Sequence, residues 1–233
     1  MHYNNPFIQN CLEGPYSVFK NLSQKEKEIL ILNHSYAIYR KGEMIMREGE
    51  RPMGLISLAS GKAKIFKEGT CGREQILRLV RPQGFIGYRA LFADSHYCAS
   101  AITLEDSAIC IFEKNSLFCL IRNNNDLALK FIKVLANELG FTVNRTMSLT
   151  QKHIRGRLAE SLLVLRDTYG FEDDGVTINV SLSRDDLANL SNMTTSNAIR
   201  TLSNLASEDI IRLEGKRIAI VNGRQLENIS KNG

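Results

Sequence analysis

The segment Ser183–Val221 constrains the fold more than any other part of the chain. Ser183-Arg184-Asp185-Asp186-Leu187-Ala188-Asn189-Leu190 reads as a short helix, with Ser183 as N-cap and Asp186 suiting the positive end of the helix dipole. Ser191-Asn192-Met193-Thr194 then supplies a turn, because Asn192 tolerates a left-handed backbone. Thr194 caps a second helix, Thr195–Ser207, whose apolar positions are Ala198, Ile199, Leu202 and Leu205. Small Ala188 permits a close helix crossing. Two alternating strands follow around Glu214-Gly215-Lys216, giving a hairpin with a basic tip. A helix pair alone is weak evidence, but the pair followed at once by this hairpin reads as a winged helix-turn-helix.

That pattern implies a chemistry. The open face of the second helix carries Thr195, Ser196, Asn197 and Arg200, with no acid before Glu208. The major groove of B-DNA admits a helix whose first residues reach base edges. Arg200 lies four residues after Ser196, on the same face, and suits guanine or a phosphate. Ser183, Arg184, Thr194 and Lys216 are placed for phosphate contacts from helix N-termini and the wing. Two plainer roles stay open: Thr194 as a cap alone, and Arg200 as a solvated surface arginine.

The rest of the chain changes character twice. Residues 36–112 read as short strands: Tyr36–Arg40, Met44–Arg47, Leu55–Leu58, Ala63–Phe66, Gln75–Val80, Ala99–Thr103 and Ala108–Phe112. Half of the sixteen glycines fall between Gly42 and Gly87, and such even punctuation suggests an antiparallel barrel or jelly roll. Ahead of it, Ser23 and Glu26 form a capping-box pattern that opens a short helix. Beyond it, Leu127, Phe131, Val134, Leu135, Leu139 and Thr142 recur at three- and four-residue steps, predicting one long amphipathic helix over 126–152. About 27 residues at ~1.5 Å each span roughly 40 Å. Its apolar stripe either packs on its own barrel or pairs with a second copy as a dimer seam. Ile154–Arg166 reads as a further helix and Val176–Val180 as a short strand. The expected class is α+β, with a β-roll sensor over 1–125, the long helix, and a DNA-binding domain over 153–233.

Composition removes other classes. The chain is 43% hydrophobic and 24% charged, as globular chains are. No apolar run approaches 18 residues, so no transmembrane helix is expected, and the N-terminus has no secretory pattern. Five cysteines without a C-x-x-C pair argue for a reducing compartment, the cytoplasm, and against a thiolate zinc site. Four scattered histidines include no H-x-H or H-E-x-x-H, so no metal site and no catalytic residues are assigned. An enzyme on a cupin-like roll therefore has no support. The net charge of +5 is only a mild hint of a polyanionic partner: from residue 150 onward, eleven Lys and Arg balance eleven Asp and Glu.

Over roughly residues 15 to 225 the chain resembles the cyclic-AMP receptor/fumarate-nitrate regulator (CRP/FNR) family of bacterial transcription factors. The resemblance is carried by Lys41-Gly42-Glu43, Arg47-Glu48-Gly49-Glu50, Gly54-Leu55-Ile56-Ser57-Leu58, Ser60-Gly61, Gly84-Phe85-Ile86-Gly87 with Leu91-Phe92, Gly156-Arg157-Leu158-Ala159, and the winged helix-turn-helix. Each piece is modest; their order and spacing are specific. It implies a cyclic-nucleotide-binding-like β-roll, a long dimerisation helix and a C-terminal DNA reader. The implied partners are palindromic double-stranded DNA, a second copy of the chain and RNA polymerase.

Departures from the family pattern bear on the effector. Members that bind cyclic nucleotide carry a glutamate just after the cassette glycine Gly87 and an arginine–serine pair about ten residues on. In this chain those positions hold Tyr88, Cys98 and Ala99, and Arg89 is one place out of register. A buried cyclic phosphate without a cationic donor is poorly compensated, so cAMP is not expected. The oxygen-sensing branch uses an N-terminal cysteine cluster, where this chain has only Cys11, so an iron–sulfur cluster is not expected either. The effector region is expected to include Gly87, Tyr88, Arg89, Cys98, Ala99 and Thr142. Cys98 is either a redox or nitrosation site or a small hydrophobe. A haem on His96, His34 or a cysteine stays open, and no cofactor is assigned. In the reading helix, the arginine–glutamate pair of members reading TGTGA-like half-sites aligns with Thr195 and Ser196, so the operator should differ while Arg200 is retained. The competing reading is a ligand-binding regulatory protein that acts through protein contacts without specific DNA recognition.

Overall fold

The computed structural model describes residues 5–69 and 72–233; His2 and Cys71 lie outside them. The elements in chain order are α1 (Pro6–Glu13), α2 (Gln24–Leu32), β1 (His34–Tyr39), β2 (Met44–Met46), β3 (Gly54–Ser60), β4 (Ala63–Glu68), β5 (Glu74–Val80), β6 (Phe85–Ile86), α3 (Tyr88–Phe92), β7 (Ser100–Thr103), β8 (Ser107–Glu113), α4 (Lys114–Asn123), α5 (Asn125–Gln151), α6 (Ile154–Tyr169), α7 (Arg184–Ser191), α8 (Thr195–Ser207), β9 (Ile211–Glu214), β10 (Arg217–Ile220) and α9 (Gly223–Asn232). Residues up to 67 together with 77–140 form one compact unit, and 68–76 with 141–233 form another. The long helix is thus shared between them.

In the first unit two four-stranded sheets, ordered β1-β8-β3-β6 and β2-β7-β4-β5, make a β-roll. The side-chain period of two explains how one strand serves two layers. On β8, Ile109 joins Leu58, Ile65, Ala101 and Ile86 in the core between the sheets. Its neighbours Ala108, Cys110 and Phe112 face the other way, into a core shared with α1, α2, α4 and α5. β3 is buried on both faces for the same reason. Gly87 joins β6 to α3 with φ +68°, and a Cβ there would lie 2.8 Å from the Met46 sulfur as well as against the Tyr97 ring. Only glycine satisfies both the left-handed backbone and the lack of space. α2 carries the capping box, with the Ser23 backbone N–H donating to Glu26 at 2.8 Å.

The α5 stripe requires a correction. Leu127 and Phe131, expected on a dimer seam, are buried in the core of the first unit, and Val134 and Leu135 pack against it. Phe131 sits 5.1 Å from Phe92, 5.5 Å from Phe85 and 6.0 Å from Phe19, centroid to centroid. A different row faces outward: Leu129, Ile132 and Leu139 are 60–66% exposed, and Val143 and Met147 continue the three- and four-residue steps. The helix is apolar on two sides, and reading it as one stripe merges them. The short strand expected at Val176–Val180 is also absent; that segment makes only isolated bridges, Ile178 to Phe171 and Thr177 to Ala219. No described helix is long and apolar enough to cross a membrane.

Truncating a fully enclosed aromatic leaves a cavity. Phe131→Ala should lower the stability of the first unit by about 3–5 kcal/mol in chemical denaturation, whereas a seam residue facing outward would cost far less in the isolated chain.

Candidate nucleic-acid interface

The second unit is organised around one turn. Ser183 caps α7 through a capping box: its hydroxyl accepts from the Asp186 N–H at 3.0 Å and donates to the Asp186 carboxylate at 2.7 Å. α7 ends at Asn192, which adopts φ +50°, ψ +55°. Asparagine is one of the few side chains that visits this region cheaply. Thr194 Oγ1 accepts from the Asn197 N–H at 3.3 Å and starts α8. Leu187, Ala188, Leu190, Met193, Ala198, Leu202 and Leu205 are all buried, so the two helices share one apolar seam. The hairpin β9–β10 follows, with Ile220 opposite Ile211 and Arg217 opposite Glu214, closed by Gly215 at φ +59°.

Once Ala198, Leu202 and Leu205 turn inward, the helical period puts Ser196, Arg200, Asn204 and Ser207 on the opposite face. Ser196 and Arg200 are exposed and Asn197 half-buried beside them. Arg200 Nη2 donates to Asn197 Oδ1 at 3.0 Å, and Thr195 donates its hydroxyl proton to Asp185 at 2.6 Å. An outward helix face with hydroxyls, amides and one guanidinium, and no acid, is suited to base edges and phosphates.

The remaining expected contact residues fall less uniformly. Lys216 is exposed at the wing tip. Arg184 is engaged: its Nη2 donates to the Gly215 carbonyl at 2.8 Å, tying the start of α7 to the wing. The Ser183 hydroxyl is committed to the capping box. These three therefore flank α8, with Arg184 bracing the wing.

Several residues that sequence reasoning missed hold this site. Arg145 on α5 is buried and donates to the Leu190 carbonyl at the end of α7. Burial pulls its pKa below the usual arginine value while the Glu160 charge opposes that shift. Glu160 accepts from Ser148 and, at 3.0 Å, from Lys152. Arg155 grips Glu208 at the end of α8 with two hydrogen bonds of 2.5 and 2.6 Å. No periodicity announces such pairs, because they join residues 12 to 53 positions apart.

The expected effector residues do not converge. Tyr88 is buried beside Phe85 at 6.0 Å, with the Arg78 guanidinium 5.3 Å from its ring. Burial pushes its phenol up to about 12, with Arg78 pulling the other way. Arg89 and Cys98 face solvent, Ala99 is buried between the sheets, and Thr142 belongs to the second unit. Arg78 also pairs with Glu138 of α5 at 3.3 Å, a link the sequence does not suggest. The reason is the α3 turn: a side chain directly after Gly87 aims into the aromatic core.

Asn192 gives a test of the turn. Asn192→Val should destabilise the second unit by about 1–2 kcal/mol, because a β-branched residue resists the left-handed region, while Asn192→Gly should stay within about 0.5 kcal/mol. Thermal unfolding of the two variants measures the difference.

Known proteins agree with this architecture. The cyclic nucleotide-binding domain model matches residues 37–124, and the Crp-like helix-turn-helix domain model matches residues 156–229. A CRP-like cAMP-activated global transcriptional regulator of Mycobacterium tuberculosis is 26% identical, covering 81% of this chain and 84% of that protein. The anaerobic regulatory protein of Bacillus subtilis is 27% identical, covering 85% and 80%. Among solved structures, FixK2 of Bradyrhizobium japonicum aligns with a TM-score of 0.75 at 23% identity, covering 84% of this chain and 96% of that one. With a β-roll, a long helix and a winged helix-turn-helix in this order, the chain belongs to the CRP/FNR family of DNA-binding transcription regulators.

Proposed function

We propose that two copies of the chain bind a palindromic operator, each laying α8 into the major groove of one half-site. The observation that carries this is the acid-free outward face of α8, raised on its buried seam. Ser196, Asn197 and Arg200 read base edges; Thr194, Thr195, Ser183 and Lys216 lie toward phosphates, and Arg184 holds the wing in place. RNA polymerase is the further partner, and the chain works in the cytoplasm without catalysis of its own.

The pairing surface is the outward row of α5. Leu129, Ile132, Leu139, Val143 and Met147 follow the spacing of a two-stranded coiled coil, which needs a second helix to cover it. Two recognition helices must stand about 34 Å apart to meet one face of a duplex, so a small rotation at this seam changes affinity strongly. An effector would act by shifting the population between two seam geometries.

A cyclic nucleotide does not suit the roll. Tyr88 fills the place after Gly87 with a buried ring, Cys98 and Ala99 bring no cation to a phosphate, and Arg89 points to solvent. An exposed Cys98 instead favours a thiol-directed or redox signal as the input. The protein-contact reading, without DNA recognition, has no counterpart to the face of α8 in its favour.

Two measurements test the proposal. Arg200→Ala should cost about 1–3 kcal/mol on the selected operator while leaving affinity for random duplex nearly unchanged. Ile132→Asp with Leu139→Asp should convert a dimer into a monomer in sedimentation velocity without unfolding the roll. A monomeric wild type at micromolar concentration would rule the seam out.

A further inference from the structure

The hydrogen bonds within the first turns of α8 fix which chemical groups it offers to DNA. Arginine carries donors only, so the group receiving the Arg200 bond at 3.0 Å is the Asn197 amide oxygen. The Asn197 NH2 therefore points away from Arg200. Bidentate recognition of adenine by asparagine needs both amide ends free, one to accept from N6 and one to donate to N7. In α8 the accepting end is already taken. Across the turn, the Asp185 carboxylate accepts the Thr195 hydroxyl proton at 2.6 Å, leaving Thr195 Oγ1 with lone pairs only.

We propose that the Asn197–Arg200 pair acts as a donor-only reader, selecting guanine at the Arg200 position and guanine or thymine, never adenine, at the Asn197 position. Guanine O6 and N7 and thymine O4 are the major-groove acceptors that such a pair satisfies. Asp185 is the positioning residue on the other side, presenting Thr195 as an acceptor for a base amino group. This rests on the reading that α8 enters the major groove.

Selection of bound duplexes from a random pool, run on the full chain and on Asn197→Ala, Asn197→Asp and Arg200→Ala, tests it. The position that loses its preference in Asn197→Ala should be guanine or thymine in the wild type, and placing adenine there should weaken binding about tenfold. Asn197→Asp keeps the shape but turns an accepting oxygen outward, so its preference should move to cytosine or adenine. Both variants should melt as the wild type does, since the side chain lies on the outer face. Adenine enriched at the Asn197-dependent position, or an Asn197→Ala profile identical to wild type, would overturn the donor-only reader while leaving the operator reading intact. Failure of the wild type to enrich any motif would overturn both.

Discussion

A 27-residue helix with apolar side chains on two opposite faces cannot be satisfied by one neighbour, and α5 is such a helix. Leu127 and Phe131 fill the inner face through an aromatic cluster with Phe19, Phe85 and Phe92. Leu129, Ile132 and Leu139 remain outside. The inner contacts fix the amino half of the helix to the roll; the outer row demands a second copy. Everything downstream depends on this double role. Without a rigid spine attached to the sensor, a change in the roll has no route to the DNA-reading unit.

At its other end the same helix reaches the reading unit through polar contacts. Arg145 holds the last carbonyl of α7, and Ser148 and Lys152 converge on Glu160. A buried guanidinium is expensive unless its donors are used, so such a joint has few alternative arrangements. The two halves of α5 are thus held differently: dispersion and burial on the roll side, directional hydrogen bonds on the α7–α6 side. The second kind is broken or remade in steps, which suits a device with two states.

Local features of the site are legible in the sequence, and long-range ones are not. The caps at Ser183 and Thr194, the left-handed Asn192 and the Gly215 turn each depend on neighbours within a few residues, and the structure has all of them. The phase of the α5 stripe is hidden because Leu127, Phe131 and Leu139 share a spacing but not a partner. Aligned positions bring the effector residues together on paper, yet Tyr88 turns into the core while Cys98 turns out. Which way a side chain faces at a strand end depends on the α3 turn and the Phe85 ring beside it, information that spacing does not contain. Arg184 is legible as a basic residue near the reading helix, but its bond to the wing carbonyl joins positions 31 apart.

Two α8 helices reading one duplex in fixed register are the central claim. Its most direct test is the affinity of the full chain for its selected palindrome before and after about five base pairs are inserted between the half-sites, which turns them to opposite sides of the helix. Binding should fall to the level of a single half-site, and recover in part when about ten are inserted. Equal affinity for the parent and the five-base-pair insertion would contradict a dimer that holds its recognition helices rigidly, and with it the role of α5 as the shared spine.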